Sequence, residues 1–278
     1  MHARSWNLLA GMALGFALIP NAHAVGGCST AMLMGGYGMQ FSGTSAPSVA
    51  PSIGGVSVPK SVAGSESSGT TPSASVVGSA HLVMDGSGGL MGYSAVNLAG
   101  TWLQGNVTGT YTVNGDCTAS LAIMDANGNA DNFSGVIVNE GGSALFTQTD
   151  AGSGVAGTLI PLRGFCQTSD LAGSFGIQYA GKLTSTAGTP YNSTGILMLD
   201  GSGAVTATES RITGGVFSQV ASSGAITVND DCSASMMLTS MTDGKSVNFW
   251  GSLSRDEKTL MLVQSDAGTA ASGSMQTQ

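Results

Sequence analysis

The chain has 278 residues and a formal net charge of −8, and charged side chains make up only 9% of it. An acidic, charge-poor chain excludes the basic patches that grip nucleic acid or anionic membrane surfaces. With 43 glycines, it must solvate its surface through Ser, Thr, Asn and Gly, a usage that suits exported all-β proteins rich in tight turns.

The chain opens with the pattern of a secretory signal peptide over residues 1–24. Arg4 supplies the positive charge, Leu8 to Ile19 form the apolar stretch, and Ala22-His23-Ala24 is an A-x-A cleavage site just after Pro20. The apolar stretch is too short for a bilayer span, which needs roughly 20 residues. No other segment is long and apolar enough to span as a helix. Cleavage near Ala24 gives a mature chain that starts at Val25, carries a net charge of −9 once Arg4 is gone, and resides in the periplasm or outside the cell.

The remainder is written twice. Cys28 precedes Gly36-Tyr37-Gly38-Met39-Gln40 as Cys166 precedes Ser174-Phe175-Gly176-Ile177-Gln178. Tyr111 to Cys117 returns as Ile226 to Cys232, Asn132-Phe133 as Asn248-Phe249, and Thr149 to Gly152 as Ser265 to Gly268. Gly43 and Gly181 lie 138 apart, whereas Asp85 and Asp200 lie 115 apart, which places a 23-residue insertion between Gly43 and Asp85. The stretch of about 44–75, rich in Ser, Pro, Gly and Ala without periodicity, has the composition of a loop and takes that insertion. The domains are therefore 25–162 and 163–278.

Copy one reads as short alternating runs with explicit turns between them. The runs are Gly36–Gly43, Val77–Met84, Gly89–Leu98, Asn106–Val113, Thr118–Met124, Asn132–Val138, Ala144–Thr149 and Gly154–Pro161. Asp85-Gly86, Asn114-Gly115-Asp116 and Asp125-Ala126-Asn127-Gly128 supply the positive φ that hairpins need. Copy two repeats the plan, and no stretch of the mature chain keeps a helical period. Eight hairpin-linked strands per copy predict two tandem antiparallel up-and-down β-barrels, with a β-sandwich as the runner-up. An outer-membrane barrel would need longer strands and aromatic girdles, and aromatics are only 6% of the chain.

Four cysteines in an exported chain read as two disulfides. Of three pairings, the repeat selects Cys28–Cys117 and Cys166–Cys232, one staple per copy. Loops of this length contribute about 4 kcal/mol each in the chain-entropy model. A four-cysteine zinc site lacks any C-x-x-C pair.

The residues of copy one over most of 28–160 resemble a group of small exported bacterial hypothetical proteins. Cys28, Gly36-Tyr37-Gly38, Thr110 to Thr118, Phe133 with Val136-Ile137-Val138, Thr149 to Gly152 and Gly157-Thr158 carry the likeness. The resemblance implies a lipocalin-like or allene-oxide-cyclase-like barrel and assigns no catalytic residue. Copy two departs from it at Phe175, Ile226 and Ser252-Leu253-Ser254.

No catalytic constellation is shared by the copies. His81 is the one histidine after the leader, and its aligned place in copy two is apolar, near Ile196, so a nucleophile–histidine system in each domain is excluded. The paired carboxylates Asp85/Asp200, Asp116/Asp231 and Asp150/Asp266 sit in turns, where Asp bonds its own backbone. Asp125-x-Asn127-x-Asn129-x-Asp131 has alternating oxygen ligands but lacks the glycine and glutamate of a Ca²⁺ loop. The fourteen methionines suit an apolar core better than a Cu(I) cluster. The sequons at Asn106, Asn132 and Asn192 matter only in a glycosylating pathway.

The glutamines common to both copies are the ligand-binding candidates: Gln40/Gln178, Gln104/Gln219 and Gln148/Gln264. Trp102, Phe217, Phe146 and Leu262 stand two residues before the last four of these, on the same strand face. An apolar interior with a few placed amides is how small-ligand pockets are built. Surface placement, or bonding to neighbouring backbone, is the competing account. The expectation is an exported, non-enzymatic protein of two barrels that binds a small apolar or amphipathic ligand, with no cofactor, no metal and no nucleic-acid partner. A self-associating surface or matrix protein is the first alternative. A cyclase- or isomerase-type enzyme, by fold analogy alone, is the second.

Overall fold

The computed structural model describes residues 27–45, 74–184 and 188–278. The expected leader and its cleavage site lie outside the described residues, as do residues 46–73 of the expected insert. Sixteen strands run through the described residues. The first eight are β1 (Met34–Ser45), β2 (Ala74–Asp85), β3 (Gly89–Leu98), β4 (Thr101–Val113), β5 (Thr118–Met124), β6 (Ala130–Val138), β7 (Ser143–Gln148) and β8 (Ser153–Pro161). The second eight are β9 (Gly173–Leu183), β10 (Thr189–Leu199), β11 (Ala204–Thr213), β12 (Val216–Val228), β13 (Ser233–Ser240), β14 (Ser246–Leu253), β15 (Thr259–Gln264) and β16 (Thr269–Thr277).

Each set of eight closes into an antiparallel up-and-down barrel. β1 pairs with β8 in the first, and β9 pairs with β16 in the second. Closure leaves no edge strand with unpaired backbone groups. Several strands exceed their sequence-predicted bounds, β4, β1 and β2 the most. β4 begins at Thr101 because Ala99 and Gly100, both at positive φ, make a turn tighter than the composition advertises. β1 and β2 extend into the expected insert, pairing Thr44 with Ser75 and Ser45 with Ala74.

One end of each barrel is plugged. Cys28 leads into a single 3-10 turn, Thr30–Leu33, and Cys166 leads into Thr168–Leu171. Leu33 and Leu171 are fully buried against the strands. The disulfides Cys28–Cys117 and Cys166–Cys232 tie these plugs to the β4–β5 and β12–β13 turns. Thr30 and Thr168 hydroxyls accept the backbone N–H groups of Val113 and Val228 at matching places. In barrel 1 the Tyr111 hydroxyl also donates to the Leu33 carbonyl, 3.0 Å. Phe175 and Ile226 replace Tyr37 and Tyr111 in barrel 2, so its plug is held by packing, the disulfide and the Thr168 bond. The plugs are not legible in the chain, since a turn of four residues is too short to show a period.

The barrels pack side by side, β1 and β2 of the first against β14, β15 and β16 of the second. Val77, Val263 and Ala270 form a small apolar cluster there, with Trp102 beside it. Two amides bridge the interface. Gln40 Nε2 donates to the carbonyls of Leu262 and Gly273, 2.8 Å each. Asn97 Nδ2 reaches the carbonyls of Gln264, Asp266 and Thr269, while its Oδ1 accepts the Gly100 N–H. Asn97 is wholly buried, so removing its side chain strands carbonyls that water cannot reach. Asn97→Ala is expected to cost about 2 kcal/mol, read as a lower urea midpoint at unchanged slope; an unchanged midpoint refutes the clasp.

Candidate functional site

Among the described residues, the most deeply buried ion pair, Glu209 with Arg211, lies inside barrel 2. Glu209 is 1% exposed and projects inward from β11, two residues after Ala207 and two before Arg211, as the strand period requires. It accepts hydrogen bonds from Tyr179 (2.7 Å), Ser193 (2.6 Å) and Arg211 through both Nε (3.1 Å) and the terminal amine (3.2 Å). The Tyr191 hydroxyl stands 3.2 Å from that of Tyr179. Tyr179 also lies edge-on to Phe249, with ring centroids 5.0 Å apart.

The electrostatics of this cluster are those of a closed network. Burial, then the Glu209 charge, pushes the Tyr179 hydroxyl far above the ordinary tyrosine range. Burial raises Tyr191 as well. Burial opposes the charge of Arg211, but its bond to Glu209 together with the electrostatic pull of Tyr179, Glu209 and Tyr191 outweighs that and raises its pKa. Glu209 takes four donors, three on Oε2 and one on Oε1, and tyrosines with raised pKa are poor acids. The cluster is built to hold shape.

Above this network, barrel 2 is open. A cavity of about 490 Å³ occupies the end opposite the disulfide. Tyr191, Arg211, Thr213, Ser218, Val247 and Gln264 line it, with the β13–β14 turn at its rim. Barrel 1 fills the same space. By the alignment of the copies, Tyr191, Arg211, Thr213 and Ser218 stand where barrel 1 has Val76, Val96, Leu98 and Leu103, all buried in its core. Glu209, Ser193 and Tyr179 stand where it has Ser94, Gly78 and Phe41. A side-chain carbon at Gly78 would collide with the Phe41 ring. Barrel 1 thus closes its interior with apolar bulk, and barrel 2 replaces that bulk with a polar network and a void.

The six candidate glutamines divide. Gln148 and Gln264 are buried, facing inward with Phe146 and Leu262. In both copies the amide Nε2 donates to the aspartate two residues on, Asp150 or Asp266, at 2.9 Å. That aspartate in turn accepts the backbone and side-chain N–H of Asn132 or Asn248. This Asn–Gln–Asp unit is a scaffold device common to both barrels. The difference lies at the other amide atom. Gln148 Oε1 accepts the Ser153 hydroxyl, whereas Gln264 Oε1, in a side chain 4% exposed at the cavity wall, has no partner.

The remaining four glutamines sit on outer faces. Gln40 bridges the barrels, and Gln178, its counterpart, is exposed. Gln104 accepts the Trp102 indole N–H, 3.1 Å, and borders a groove between the barrels that Trp250 also lines. Gln219 is exposed at the rim of the barrel 2 cavity. Among the described residues no group of three or more His, Cys, Asp or Glu side chains converges to hold a metal. Asp125 instead accepts the backbone N–H groups of Asn127 and Asn129, closing a hairpin turn.

No protein-family model matches this chain, and no curated protein matches it significantly. The site must therefore be read from its own geometry. Reasoning from shared residues passed over Glu209, Arg211, Tyr179 and Tyr191 because they occur in one copy only. Their signal was present nonetheless: in a chain that is 9% charged, Glu209 and Arg211 share the strand face of Val205 and Ala207. Glu209→Ala leaves the Arg211 guanidinium unpaired in the wall and is expected to destabilise the protein by about 3–5 kcal/mol. Denaturant unfolding measures this, and a loss below about 1 kcal/mol would mark the pair as solvated.

Proposed function

We propose that this is an exported, non-enzymatic binding protein that takes a small polar or amphipathic molecule into the open end of barrel 2. The reading rests on one observation above the rest: four apolar fillers of barrel 1 are replaced in barrel 2, and a cavity of about 490 Å³ stands in their place. A void costs stability, because its lining loses packing contacts. A network that braces the walls around such a void suits a preformed ligand site. Gln264 Oε1 offers a buried acceptor for a hydroxyl, amine or amide donor of the ligand. Leu183, Val220 and Val247 offer short apolar contacts.

The resemblance to lipocalin-like barrels of exported bacterial proteins agrees with this reading, since lipocalins are up-and-down barrels of eight strands. The two disulfides are compatible with an exported protein, and the leader at 1–24 with cleavage near Ala24 would deliver it. Barrel 1 serves as the solid support against which β14–β16 are held.

Filling the cavity as barrel 1 does tests the proposal. Ligand-observed NMR against a library of small alcohols, amines and amides should give binders for the native protein. The double substitution Thr213→Leu with Ser218→Leu, which copies Leu98 and Leu103, should weaken each at least about tenfold, equivalent to roughly 1.4 kcal/mol. It should leave the melting temperature equal or higher. Equal binding by the filled protein, or no binder for the native one, would refute the site.

A further inference from the structure

The contact between the two barrels joins unlike faces, and each of those faces has a free counterpart elsewhere on the chain. Barrel 1 uses β1 to β4, with Gln40 and Trp102. Barrel 2 uses β14 to β16, with the carbonyls of Leu262 and Gly273. Those two residues are a cross-strand pair of β15 and β16. The equivalent cross-strand pair of barrel 1 is Phe146 and Gly157, on β7 and β8. It lines an outer groove of about 570 Å³ together with Val136 and Leu145, continuous at one side with the internal contact at Gln40 and Ser272. Conversely, the counterpart of Gln40 on barrel 2 is Gln178, and the counterpart of Trp102 is Phe217.

These free faces carry exposed apolar side chains that a solitary protein has no use for. Phe217 is 62% exposed and Leu145 49%. Ile212 and Val136 are exposed beside them. The chain has few charges to keep such faces apart. The partner that fits each face is already defined by the contact inside the chain.

We infer that chains of this protein associate head to tail. The Gln178 and Phe217 face of barrel 2 in one chain seats on the Leu145 face of barrel 1 in the next, with the Gln178 amide between the Phe146 and Gly157 carbonyls. The contact repeats between chains what Gln40 does within one. It explains why Gln40 and Gln178 recur in both copies although neither enters a barrel. Such a contact is heterologous, so it propagates into a ring or a filament. It is weaker than the internal one, because Ile212 stands where Asn97 makes its clasp. Association is therefore reversible and concentration-dependent.

Sedimentation velocity on the intact mature protein tests this with two surface substitutions, Gln178→Glu and Leu145→Glu. The first sets a carboxylate against two carbonyls, and the second puts a charge into the socket. The native protein should show a mean mass that climbs with concentration beyond that of a dimer. Each variant alone should run as a monomer, since every contact needs the face that all of its chains have lost. An equimolar mixture should form a heterodimer through the one pair of intact faces. A native protein that stays monomeric, variants that associate as the native protein does, or a mixture that stays monomeric would each overturn the inference. Circular dichroism melts matching the native protein establish that the variants are folded.

Discussion

Everything in this molecule depends on what fills the inside of a closed eight-stranded barrel. Such a barrel has an interior just wide enough for side chains to meet across it. Hydrogen bonding closes the sheet but does not choose the contents. In barrel 1 the contents are Phe41, Leu82, Leu98, Leu103 and their neighbours, a continuous apolar core. In barrel 2 the lower layers are equally apolar, and the upper ones are not. A single exchange cannot accomplish this. Glu209 is tolerable only with Arg211, Tyr179 and Ser193 on it, because an unpaired buried carboxylate costs several kcal/mol. The network is satisfied only as a set, and the space beside it is lined by the smaller residues Thr213 and Ser218.

The two ends of each barrel have separate tasks. The disulfide end is sealed alike in both copies by a cysteine, a 3-10 turn and a buried leucine. The opposite end is where the copies diverge. The outer surfaces follow a similar division. Gln40 and Asn97 direct their amides at backbone carbonyls of the neighbouring barrel, which specifies orientation without demanding a large apolar patch. The faces left over present Gln178 and exposed apolar groups such as Phe217 and Leu145.

Much of the fold was legible in the chain. The internal repeat, Asp-Gly and Asn-Gly turns and period-two runs placed the eight strands of copy one, with β4 begun five residues late, and the same plan for copy two, and matching cysteine places selected the pairing that forms. The site was less legible, for a physical reason. The glutamines stood out because both copies keep them, but recurrence marks what a scaffold needs: Gln148 and Gln264 anchor turn aspartates, and Gln40 bridges barrels. A ligand site made by one copy alone shows as a difference between copies. Val96 against Arg211 and Ser94 against Glu209 were visible in the sequence. That Thr213 and Ser218 leave a void was not, since strand alternation gives the face of a residue and not the depth of the layer it fills.

The most direct test of the ligand site is native mass spectrometry of the protein purified from cells that make it. The account predicts one small molecule bound per chain, released when the ion is activated and absent from protein whose barrel 2 cavity has been filled with leucine. Chains that carry no small molecule at all, or that retain it with the cavity filled, would contradict the assignment of barrel 2 as the binding domain.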